Sequence, residues 1–588
     1  MKTKELKLEL IRAAMGEIPF DTCVRNIQFV NVFTGEIYPA EVDIHNGYVI
    51  RVRMEDQPAR SKPRTVIDGE GLYMIPGYVD PHMHIESTML LPENFARVSI
   101  PWGTTTINHD PHEIGNVLGI PGIRFMIDNG RKTPQTQFAM ASSCIPAVVG
   151  LENAGACVTA EDISELLDLE GVNGIAEIMD FVGVINGSQR MHDIIEAGAE
   201  KGAFLQGHCP KLSGAELDAY VLSGIESDHE CANANEVIDR LRLGMYTDLK
   251  ASSLSDNFEE LSKAIRQMKY NDHISFCTDD VHVADLLARG HMNKLVRMAV
   301  QFGIDPTDAI RMATINGAKE ERLCDIGALA PGYQADFQLV KELNGEMPVK
   351  VFIKGELVAE NGNYLGPGYK PDRKFTNTVH TQWITSKEDL ILRCPDHETV
   401  TVNVMVPEDE GNIIRRIEQI ELPVHKGMVS IEDQDSLVYV CVINRHGLHN
   451  KTIGVMKNFG LSEGAVGSTI SHDSYNLVLV YKNAEDAFLV LKKLEETGGG
   501  MALAHNGTIC GCVPLPVAGL MSDQPAETVN AQLIQFRNAY YEVMKKEANL
   551  QAVSLMSLTA LPGIIITDMG LADGLSQKLI PVFASQDS

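Results

Sequence analysis

No apolar run in this chain of 588 residues reaches the roughly 18 residues that a membrane-spanning helix needs. The start also lacks the apolar stretch of a signal peptide, and its pattern predicts a short amphipathic helix that ends near Ala14. The eleven cysteines form no Cys-x-x-Cys pair. Their odd number and scattered positions are typical of free thiols in a reducing compartment. These absences predict a cytoplasmic protein that spans no membrane.

Positive charge is scarce in this chain. It has 50 Lys and Arg residues against 79 Asp and Glu residues, which gives a formal net charge of −29. Because this excess repels phosphate backbones and anionic lipid surfaces, we expect neither nucleic acid nor a membrane as a partner. Hydrophobic residues at 44% are ample for a buried core, and the length predicts more than one domain.

A pair of histidines, His82 and His84, ends a short run of β-forming residues that follows Pro76-Gly77. Side chains two residues apart on a strand point in the same direction, so both imidazoles can reach one ion. The spacing therefore suits a divalent metal with nitrogen ligands. Two neighbouring histidines are also common as surface or hydrogen-bonded core residues, so the pair alone leaves both interpretations open.

Further candidate ligands follow in order along the chain, each at the end of a short apolar or β-forming run. They are Glu177, His208, His229 and the neighbours Asp279 and Asp280. Runs of this kind, bounded by polar or turn residues, are typical of buried parallel strands. The repeated placement predicts that these side chains lie at one edge of a parallel sheet.

Eight strand candidates lie between residues 77 and 280, with helix-compatible stretches between them. Besides the runs that precede the candidate ligands, they include 104–108, 138–142 and 245–250. One intervening helix is predicted over 213–222, because Ser213 and Glu216 have the spacing of a capping box. Alternating strands and helices predict an α/β fold, and eight strands predict a closed (β/α)8 barrel of the TIM type with its site at the carboxyl ends of the strands.

The candidate ligands are too many for one tetrahedral ion. Four histidines and two acids suit two ions that are bridged by a carboxylate and a hydroxide, roughly 3.5–4 Å apart in known two-metal sites. This set resembles that of the amidohydrolase superfamily, in which strands one, four, five, six and eight supply the ligands. The resemblance implies that the metal ligands are His82, His84, Glu177, His208, His229 and Asp279, with Glu177 as the bridge.

The sequence is similar to one family of that superfamily, the adenine deaminases, over nearly its whole length. The similar segments are 84–87, 110–117, 176–180, 207–210, 278–280, 330–332, 471–474 and 515–522. Two positions depart from the family pattern. Lys250-Ala251-Ser252-Ser253 stands where the family tends to show Arg-Glu-Gly-Ser, and Val281 stands where a basic residue is common. Both departures lie at barrel loops, so they bear on the exact purine more than on the reaction class.

The family resemblance implies hydrolytic deamination of adenine to hypoxanthine and ammonia by a metal-bridged hydroxide, in purine salvage. It favours two manganese ions (Mn2+) per chain, although imidazole and carboxylate ligands without thiolate also suit Fe2+ or Zn2+. The expected partner is a small-molecule purine, and we expect a homo-oligomer. Within the site, Asp279 is the expected general base, because it can touch the metal and also accept the proton of the hydroxide.

The reaction needs proton donors for the ring nitrogen and the leaving amine, and candidates occur at the ends of strands one and two. Glu86 and Asp110 are the first candidates for this catalytic role, and His112 and Glu113 are candidates for contact with substrate. A carboxyl in this role needs a raised pKa to carry a proton at neutral pH. Loop acids and histidines also cap helices or orient ligands, and that alternative stays open.

Two further residues are candidate substrate contacts. Asp280 follows the expected base directly, so on an extended strand it points to the opposite side, where it could bind a substrate nitrogen or a histidine behind the ligands. Ser143, in the run Ser142-Ser143-Cys144 at the end of strand three, could line the base pocket, although a packed strand end of small residues gives the same pattern.

The sequences on either side of the barrel contain matching β patterns. Residues 22–75 alternate apolar and polar positions around the hairpin signal Asn46-Gly47, which predicts antiparallel strands, and similar runs return at 336–340 and 349–353. In amidohydrolases such split segments form one small β-sandwich. The predicted organisation is an N-terminal helical segment (1–21), the first part of the β-sandwich (22–75), the metal-binding barrel (76–323), the second part of the β-sandwich (324–365), a linker (366–380) and a C-terminal α+β domain (381–588).

Other functions remain as alternatives. A deaminase of a related purine and a cyclic-amide hydrolase of the dihydroorotase or hydantoinase kind share the barrel and the metals. The cyclic-amide hydrolases normally place a carbamylated lysine on strand four, where this chain has Glu177. A non-catalytic assembly protein with an amidohydrolase-like barrel is the third alternative, but such proteins usually lose metal ligands and none is missing from this sequence.

Overall fold

The structure, a computed structural model, describes residues 2–54, 57–255, 257–395, 397–408, 414–545 and 550–584. The chain begins with helix α1 (Lys4–Met15) and strands β1 (Phe20–Val30), β2 (Ile37–His45), β3 (Tyr48–Met54), β4 (Pro63–Asp68) and β5 (Tyr73–Pro76). Strands β2 and β3 form the predicted antiparallel hairpin, whose turn residues Asn46 and Gly47 both have positive φ. The prediction that all these strands are antiparallel was wrong for β4 and β5, which lie parallel to β1, one beside each half of that eleven-residue strand.

A barrel of alternating strands and helices follows. Its strands are β6 (Tyr78–His84), β7 (Thr104–His109), β8 (Thr136–Ala141), β9 (Val172–Ile178), β10 (Phe204–Gly207), β11 (Ser227–Asp228), β12 (Tyr246–Lys250), β13 (Ile274–Cys277) and β14 (Asp279–Asp280). Its helices are α2 (Pro92–Ser99), α3 (His112–Leu118), α4 (Ile120–Gly130), α5 (Ala160–Leu167), α6 (Phe181–Ile185), α7 (Gln189–Lys201), α8 (Gly214–Leu222), α9 (Ala234–Arg242), α10 (Phe258–Gln267), α11 (Val283–Arg289), α12 (Met292–Gln301), α13 (Pro306–Arg311) and α14 (Gly317–Glu320), with a π-helical turn (Met312–Asn316) between the last two.

The barrel closes by parallel pairing. Strands β6 to β10 pair consecutively, β11 to β13 pair consecutively, and β14 pairs with β6. Between β10 and β11 the backbone N–H of Glu226 donates to the carbonyl of Leu205 at 2.9 Å. The eighth strand is split into β13 and β14, because Asp279 has φ +54 and interrupts the extended conformation. This closed arrangement confirms the predicted α/β barrel.

One helix-start signal was misinterpreted. Helix α8 begins where it was predicted to begin, but the hydroxyl of Ser213 makes no capping hydrogen bond. Gly214 has φ +56, which is outside the helical region, so the first turn of the helix does not have the backbone geometry of a capping box. The apolar pattern therefore positions this helix without the expected cap.

The chain returns to the first sheet after the barrel. Strands β15 (Phe337–Val340), β16 (Lys350–Ile353), β17 (Glu356–Glu360) and β18 (Asn363–Tyr364) form antiparallel pairs, and β15 pairs with β5. The segments on both sides of the barrel thus join in one nine-stranded sheet. Its apolar core includes Phe29, Val42 and Phe337, which come from both segments.

A second large sheet forms the C-terminal region, which here means β19 to β30. The sheet contains β19 (Thr399–Pro407), β20 (Arg415–His425), β21 (Met428–Val429), β22 (Leu437–Ile443), β23 (Lys451–Lys457), β24 (Ala465–Ser468), β25 (Leu477–Tyr481), β26 (Gly500–His505) and β27 (Thr508–Pro514). Helices α15 (Ala484–Thr497), α16 (Ala526–Met544) and α17 (Leu550–Ser554) and a small sheet of β28 (Ile564–Thr567), β29 (Gly570–Asp573) and β30 (Lys578–Ile580) complete the region. Short 3-10 helices occur at Glu86–Thr88, Ile100–Trp102 and Lys387–Leu390.

The C-terminal region packs directly on the barrel. One apolar cluster contains Met83 and Phe95 from the barrel together with Val440, Val466 and Met521 from the C-terminal region, all fully buried or nearly so. A continuous apolar interface of this kind fixes the two parts relative to each other, because separating them would expose large apolar side chains. Among the described residues, no helix is long and apolar enough to cross a bilayer.

Candidate active site

The six predicted metal ligands meet at the carboxyl ends of the barrel strands. Each lies in the last residues of a strand, directly after a strand, or in the split eighth strand, and each is buried. They are His82 and His84 on β6, Glu177 on β9, His208 after β10, His229 after β11 and Asp279 in β14. The closed parallel barrel brings them together from positions up to almost 200 residues apart in sequence.

The carboxylate of Glu177 lies at the middle of this group. Its Oε1 is 3.4 Å from Nε2 of His84, and its Oε2 is 2.7 Å from Nδ1 of His208 and 3.3 Å from Nε2 of His229. One carboxylate oxygen thus faces His84 of the first strand, and the other faces the histidines of strands five and six. This is the geometry of a carboxylate that bridges two positions.

The carboxylate of Asp279 lies beside the two histidines of the first barrel strand. Its Oδ1 lies 3.6 Å from Nε2 of His82 and 3.3 Å from Nε2 of His84. The left-handed backbone of Asp279, with φ +54, is uncommon for a residue other than glycine and costs conformational energy. The site therefore uses a strained residue to place this carboxylate against the two histidines.

Neighbouring groups fix the orientation of the first-strand histidines. Nδ1 of His82 lies 3.0 Å from Oε1 of Gln206, and Nδ1 of His84 lies 3.1 Å from the backbone carbonyl of Asp110. With Nδ1 as the donor in both rings, each Nε2 is left as a free lone pair that points into the centre. Partners behind the ring that fix the tautomer in this way are usual for histidines that bind metals.

The donor set fits a divalent metal. Nε2 of His82 and Nε2 of His208 are buried and have no hydrogen-bond partner among the described residues. Buried nitrogens are rarely left without a partner, and each of these histidines belongs to a group of imidazoles and carboxylates, the two groups sharing His229. Imidazole nitrogens and carboxylate oxygens without thiolate are ligands that several divalent ions accept.

Lys250 is a residue of the site that the sequence analysis treated only as a departure from the family pattern. It is buried at the end of β12, and its Nζ donates to Oδ2 of Asp279 at 2.9 Å and also contacts Glu230. Burial alone would raise the pKa of Asp279, but the charge of Lys250 and the imidazoles of His82 and His84 beside it hold this pKa well below its usual range. The signal in the sequence was a lysine at the end of an apolar strand run.

Glu230 is a second missed residue beside the centre. Its Oε1 lies 3.5 Å from Nε2 of His229 and 3.8 Å from Nδ1 of His208. It follows His229 directly and forms an ion pair with Lys250. Because the sequence offers many acids next to histidines, nothing in its pattern distinguished this one.

The predicted residues at the ends of strands two and three are bound to one another. Oδ1 of Asp110 accepts from Ser142 at 2.5 Å, and its Oδ2 lies 3.0 Å from Nδ1 of His112. The hydroxyl of Ser143 donates to the backbone carbonyl of Glu177 at 2.7 Å, so its observed contact supports the bridging residue. His112 is the member of this set that also approaches Glu177, with Nδ1 at 3.5 Å from Oε1.

A second cluster of carboxyl groups, in which Glu86 and Glu113 are buried and Asp280 is half-buried, lies around Ser87. Its hydroxyl lies 2.7 Å from Oε1 of Glu113 and 2.5 Å from Oδ1 of Asp280. A serine hydroxyl has one proton, so it can donate to only one of these two carboxyls at a time. Burial and the neighbouring Glu113 raise the pKa of Glu86 to about 8, and burial also raises the pKa of Glu113. This cluster can store a proton at neutral pH.

A cavity of about 350 Å³ opens above the predicted metal ligands. Of the predicted residues, those that line it are His84, His112, Glu177, His208, His229, Asp279 and Asp280. The described residues that line it do not include His82, Glu86, Asp110, Glu113 or Ser143, which lie behind its wall. The alternation that was expected to turn Asp279 and Asp280 to opposite sides is broken by the positive φ of Asp279, and both residues reach the cavity.

The far wall of the cavity comes from the C-terminal region. His472 and Asp473 line it together with the apolar side chains of Leu555, Leu558 and Leu561. Oδ1 of Asp473 lies 3.5 Å from Nε2 of His112, so the region contacts the barrel beside the metal ligands. The sequence contained these residues in a family-like segment, but no pattern indicated that a segment so far along the chain reaches the site.

The sequence of this chain is similar to known families over both the barrel and the C-terminal region. Residues 73–358 match the Amidohydrolase family, and residues 412–578 match the Adenine deaminase C-terminal domain. "Adenine deaminase 2" of Carboxydothermus hydrogenoformans is 35% identical over 98% of this chain and 99% of its own length, and "Adenine deaminase" of Lysinibacillus sphaericus is 37% identical over 99% of this chain and 100% of its own length. A crystal structure of an adenosine deaminase from Xanthomonas campestris with bound zinc aligns over 60% of this chain and 95% of that chain, with a TM-score of 0.46 and 13% identity.

These full-length matches include both the barrel and the C-terminal region whose side chains meet in the cavity. At 35–37% identity over almost the entire length of both proteins, the similarity extends well beyond the shared barrel. The chain belongs to the adenine deaminase family.

Proposed function

We propose that this protein hydrolyses adenine to hypoxanthine and ammonia with two divalent metal ions per chain, of which Mn2+ is the preferred metal and Fe2+ or Zn2+ are compatible. The observation that supports the proposal best is the position of Glu177 between two groups of histidines, at the floor of a cavity large enough for a purine. The donor set of imidazoles and carboxylates suits these ions. The full-length similarity to adenine deaminases supports the choice of substrate.

In this proposal the amino-bearing carbon of the base lies above Glu177 and Asp279. Bound divalent ions would lower the pKa of water at this position, which makes hydroxide available at neutral pH. Asp279 accepts the proton of the attacking water, since Lys250 keeps this carboxylate ionised. Asp279 then returns the proton to the departing amine.

The ring nitrogen beside the attacked carbon also needs a proton, because attack drives negative charge onto it. Asp280 lines the cavity and contacts Ser87, which contacts Glu113 in turn. We assign Asp280 to contact with this nitrogen and the buried pair Glu86 and Glu113 to proton storage behind it. Asp110 orients His112 in this arrangement and does not contact the base.

Ammonia release from a panel of substrates tests the proposed function. The purified protein is loaded with Mn2+ and incubated with adenine, related 6-aminopurines and cyclic amides such as dihydroorotate and hydantoin. We expect ammonia from adenine with hypoxanthine as the second product and no opening of the cyclic amides. Opening of a cyclic amide, or ammonia release from another purine in preference to adenine, would contradict the proposal in favour of one of the alternative functions.

We further propose that the enzyme works in the cytoplasm, as a homo-oligomer, on a free small molecule. The net charge of −29 opposes contact with nucleic acids or anionic membranes. Sedimentation of the purified protein tests the homo-oligomer, and a monomer at micromolar concentration would contradict it.

A further inference from the structure

The cavity above the metal ligands is closed by a wall from the C-terminal region, and this wall combines one acid with apolar side chains. Asp473 and His472 precede β25, while Leu555, Leu558 and Leu561 follow α17. The opposite side of the cavity contains the polar barrel residues of the predicted metal centre. A flat aromatic base needs both features, namely an apolar surface for its face and hydrogen-bonding groups for its edge.

The carboxylate of Asp473 has one oxygen that is not used by the protein. Oδ1 lies 3.5 Å from Nε2 of His112 and 3.7 Å from Nδ1 of His472, whereas Oδ2 is buried and has no hydrogen-bond partner among the described residues. The whole side chain is 2% exposed, so this oxygen is removed from bulk water. A buried carboxylate oxygen without a donor is costly, and a bound molecule with an N–H group would satisfy it.

The position of Asp473 relative to the metal ligands indicates which part of the base would supply this N–H group. The ring of His112 separates the two carboxylates, with Nδ1 at 3.5 Å from Glu177 and Nε2 at 3.5 Å from Asp473. Asp473 therefore lies about one ring beyond Glu177 along the cavity. If the amino-bearing carbon is above Glu177, the imidazole part of a purine extends toward Asp473.

We propose that Asp473 accepts a hydrogen bond from the imidazole N–H of a free purine base whose face packs on Leu558 and Leu561, so that the C-terminal region selects the free base. This inference rests on the proposed function of the same site. A purine alkylated or glycosylated at N9 lacks that proton and would leave the carboxylate without a donor. Loss of a hydrogen bond to a buried polar group discriminates strongly between otherwise similar substrates.

The variant Asp473→Asn tests this inference with a matched control in the same region. Asn keeps the size of the side chain but removes the charge and one acceptor. Asp568→Asn is the control, because Asp568 accepts hydrogen bonds from Asn153 of the barrel and from Asn444 of its own region but does not line the cavity. The measurements are kcat and KM for adenine and 9-methyladenine, the inhibition constant of hypoxanthine, and metal content by elemental analysis.

We expect Asp473→Asn to raise KM for adenine and the inhibition constant of hypoxanthine about ten- to hundredfold, with a smaller change in kcat and unchanged metal content. The preference for adenine over 9-methyladenine should fall in parallel, while Asp568→Asn should keep KM within about twofold of the wild type. The partly buried Leu561 provides a second variant, Leu561→Ala, which should weaken hypoxanthine binding without changing selectivity at N9. A wild-type KM and wild-type selectivity in Asp473→Asn, or loss of metal from this variant, would overturn the inference.

Failure of the proposed function would be seen separately. If the wild-type protein released no ammonia from adenine, calorimetric titration with hypoxanthine would decide the inference alone. Binding that weakens in Asp473→Asn but not in Asp568→Asn would support purine recognition by the C-terminal region. Absence of binding to the wild type would overturn it.

Discussion

At the scale of single residues, the chemistry of the site depends on how each carboxylate is paired. Asp279 is held ionised by Lys250 and faces two histidines, whereas Glu86 is buried beside another acid and its pKa is raised to about 8. Their surroundings thus favour the ionised form of Asp279 and the protonated form of Glu86 at neutral pH. This separation allows one group to accept a proton while the other retains one.

The neighbours Asp279 and Asp280 should give different phenotypes when each is changed to Asn. Asp279→Asn should abolish turnover at every adenine concentration, because an amide cannot accept the proton of the attacking water. Asp280→Asn should retain measurable kcat and raise KM, since Asp280 lines the cavity and pairs with Ser87. Steady-state kinetics of both variants checks this, and exchanged phenotypes would show that the roles of the two residues are reversed.

Lys250 should set the acid limb of the pH profile. Lys250→Met removes the ammonium that lies 2.9 Å from Asp279, so the pKa of that carboxyl should rise. Because the base must be deprotonated to act, the acid limb of kcat/KM should move to higher pH by about one to three units. Lys250→Arg keeps the charge and serves as the control. An unchanged acid limb in Lys250→Met would assign Lys250 a purely structural role.

At the scale of elements, the loop between β8 and α5 connects the barrel to the C-terminal region. Glu152 in this loop accepts from the hydroxyl of Thr559 at 2.6 Å and is 3% exposed. Burial raises the pKa of Glu152 to about 8 from its usual value near 4.5. The contact between the loop and the C-terminal region is therefore made by a carboxyl that prefers to be neutral.

The raised pKa of Glu152 predicts a pH-dependent stability. Below pH 4.5, the pKa of this carboxyl in the unfolded chain, the group is protonated in both the folded and the unfolded state and does not change the stability. As the pH rises toward 8, the unfolded chain releases a proton that the folded chain retains, so the folded state loses stability. Glu152→Gln should remove this loss and raise the melting temperature relative to wild type by about 3 °C or more at pH 8, and by less at pH 5. Glu161→Gln, at an exposed position in α5, is the control. An equal difference at both pH values would contradict the assignment.

At the scale of the whole molecule, the predicted metal ligands come from five of the eight barrel strands. A metal that binds the folded barrel but not the unfolded chain stabilises the entire fold by mass action. The same binding links strands that are distant in sequence, so metal content and global stability should change together.

Metal removal should lower both activity and stability. We expect elemental analysis of the Mn2+-loaded protein to give close to two ions per chain, and chelation to abolish ammonia release and lower the free energy of unfolding by about 3–4 kcal/mol. Glu177→Gln loses the negative charge between the two histidine groups, so it should bind fewer ions and lose activity by orders of magnitude. Full activity with a single ion per chain, or near-wild-type turnover of Glu177→Gln with both ions bound, would contradict the two-ion proposal.

Much of the barrel followed from the sequence alone. The periodic runs predicted eight strands in their order, because a buried parallel strand must be short, apolar and bounded by turns. Residues at the ends of such strands meet at one edge of the barrel, and the resemblance to amidohydrolases selected His82, His84, Glu177, His208, His229 and Asp279 among them as the predicted ligands. Their roles as ligands stay predictions, and the structure supplies distances that suit them.

Other parts of the site were decided only by tertiary structure. Lys250 and Glu230 contact the ligands through pairings between strands that no local pattern contains. The positive φ of Asp279 broke the alternation on which the orientation of Asp280 was based, since backbone strain is imposed by surrounding contacts rather than by local preference. His472 and Asp473 reach the cavity because an apolar interface docks the C-terminal region on the barrel, and interfaces of this kind depend on the packing of distant surfaces. The sequence determined which groups are available for chemistry, and the packing of distant segments determined which of them face the substrate.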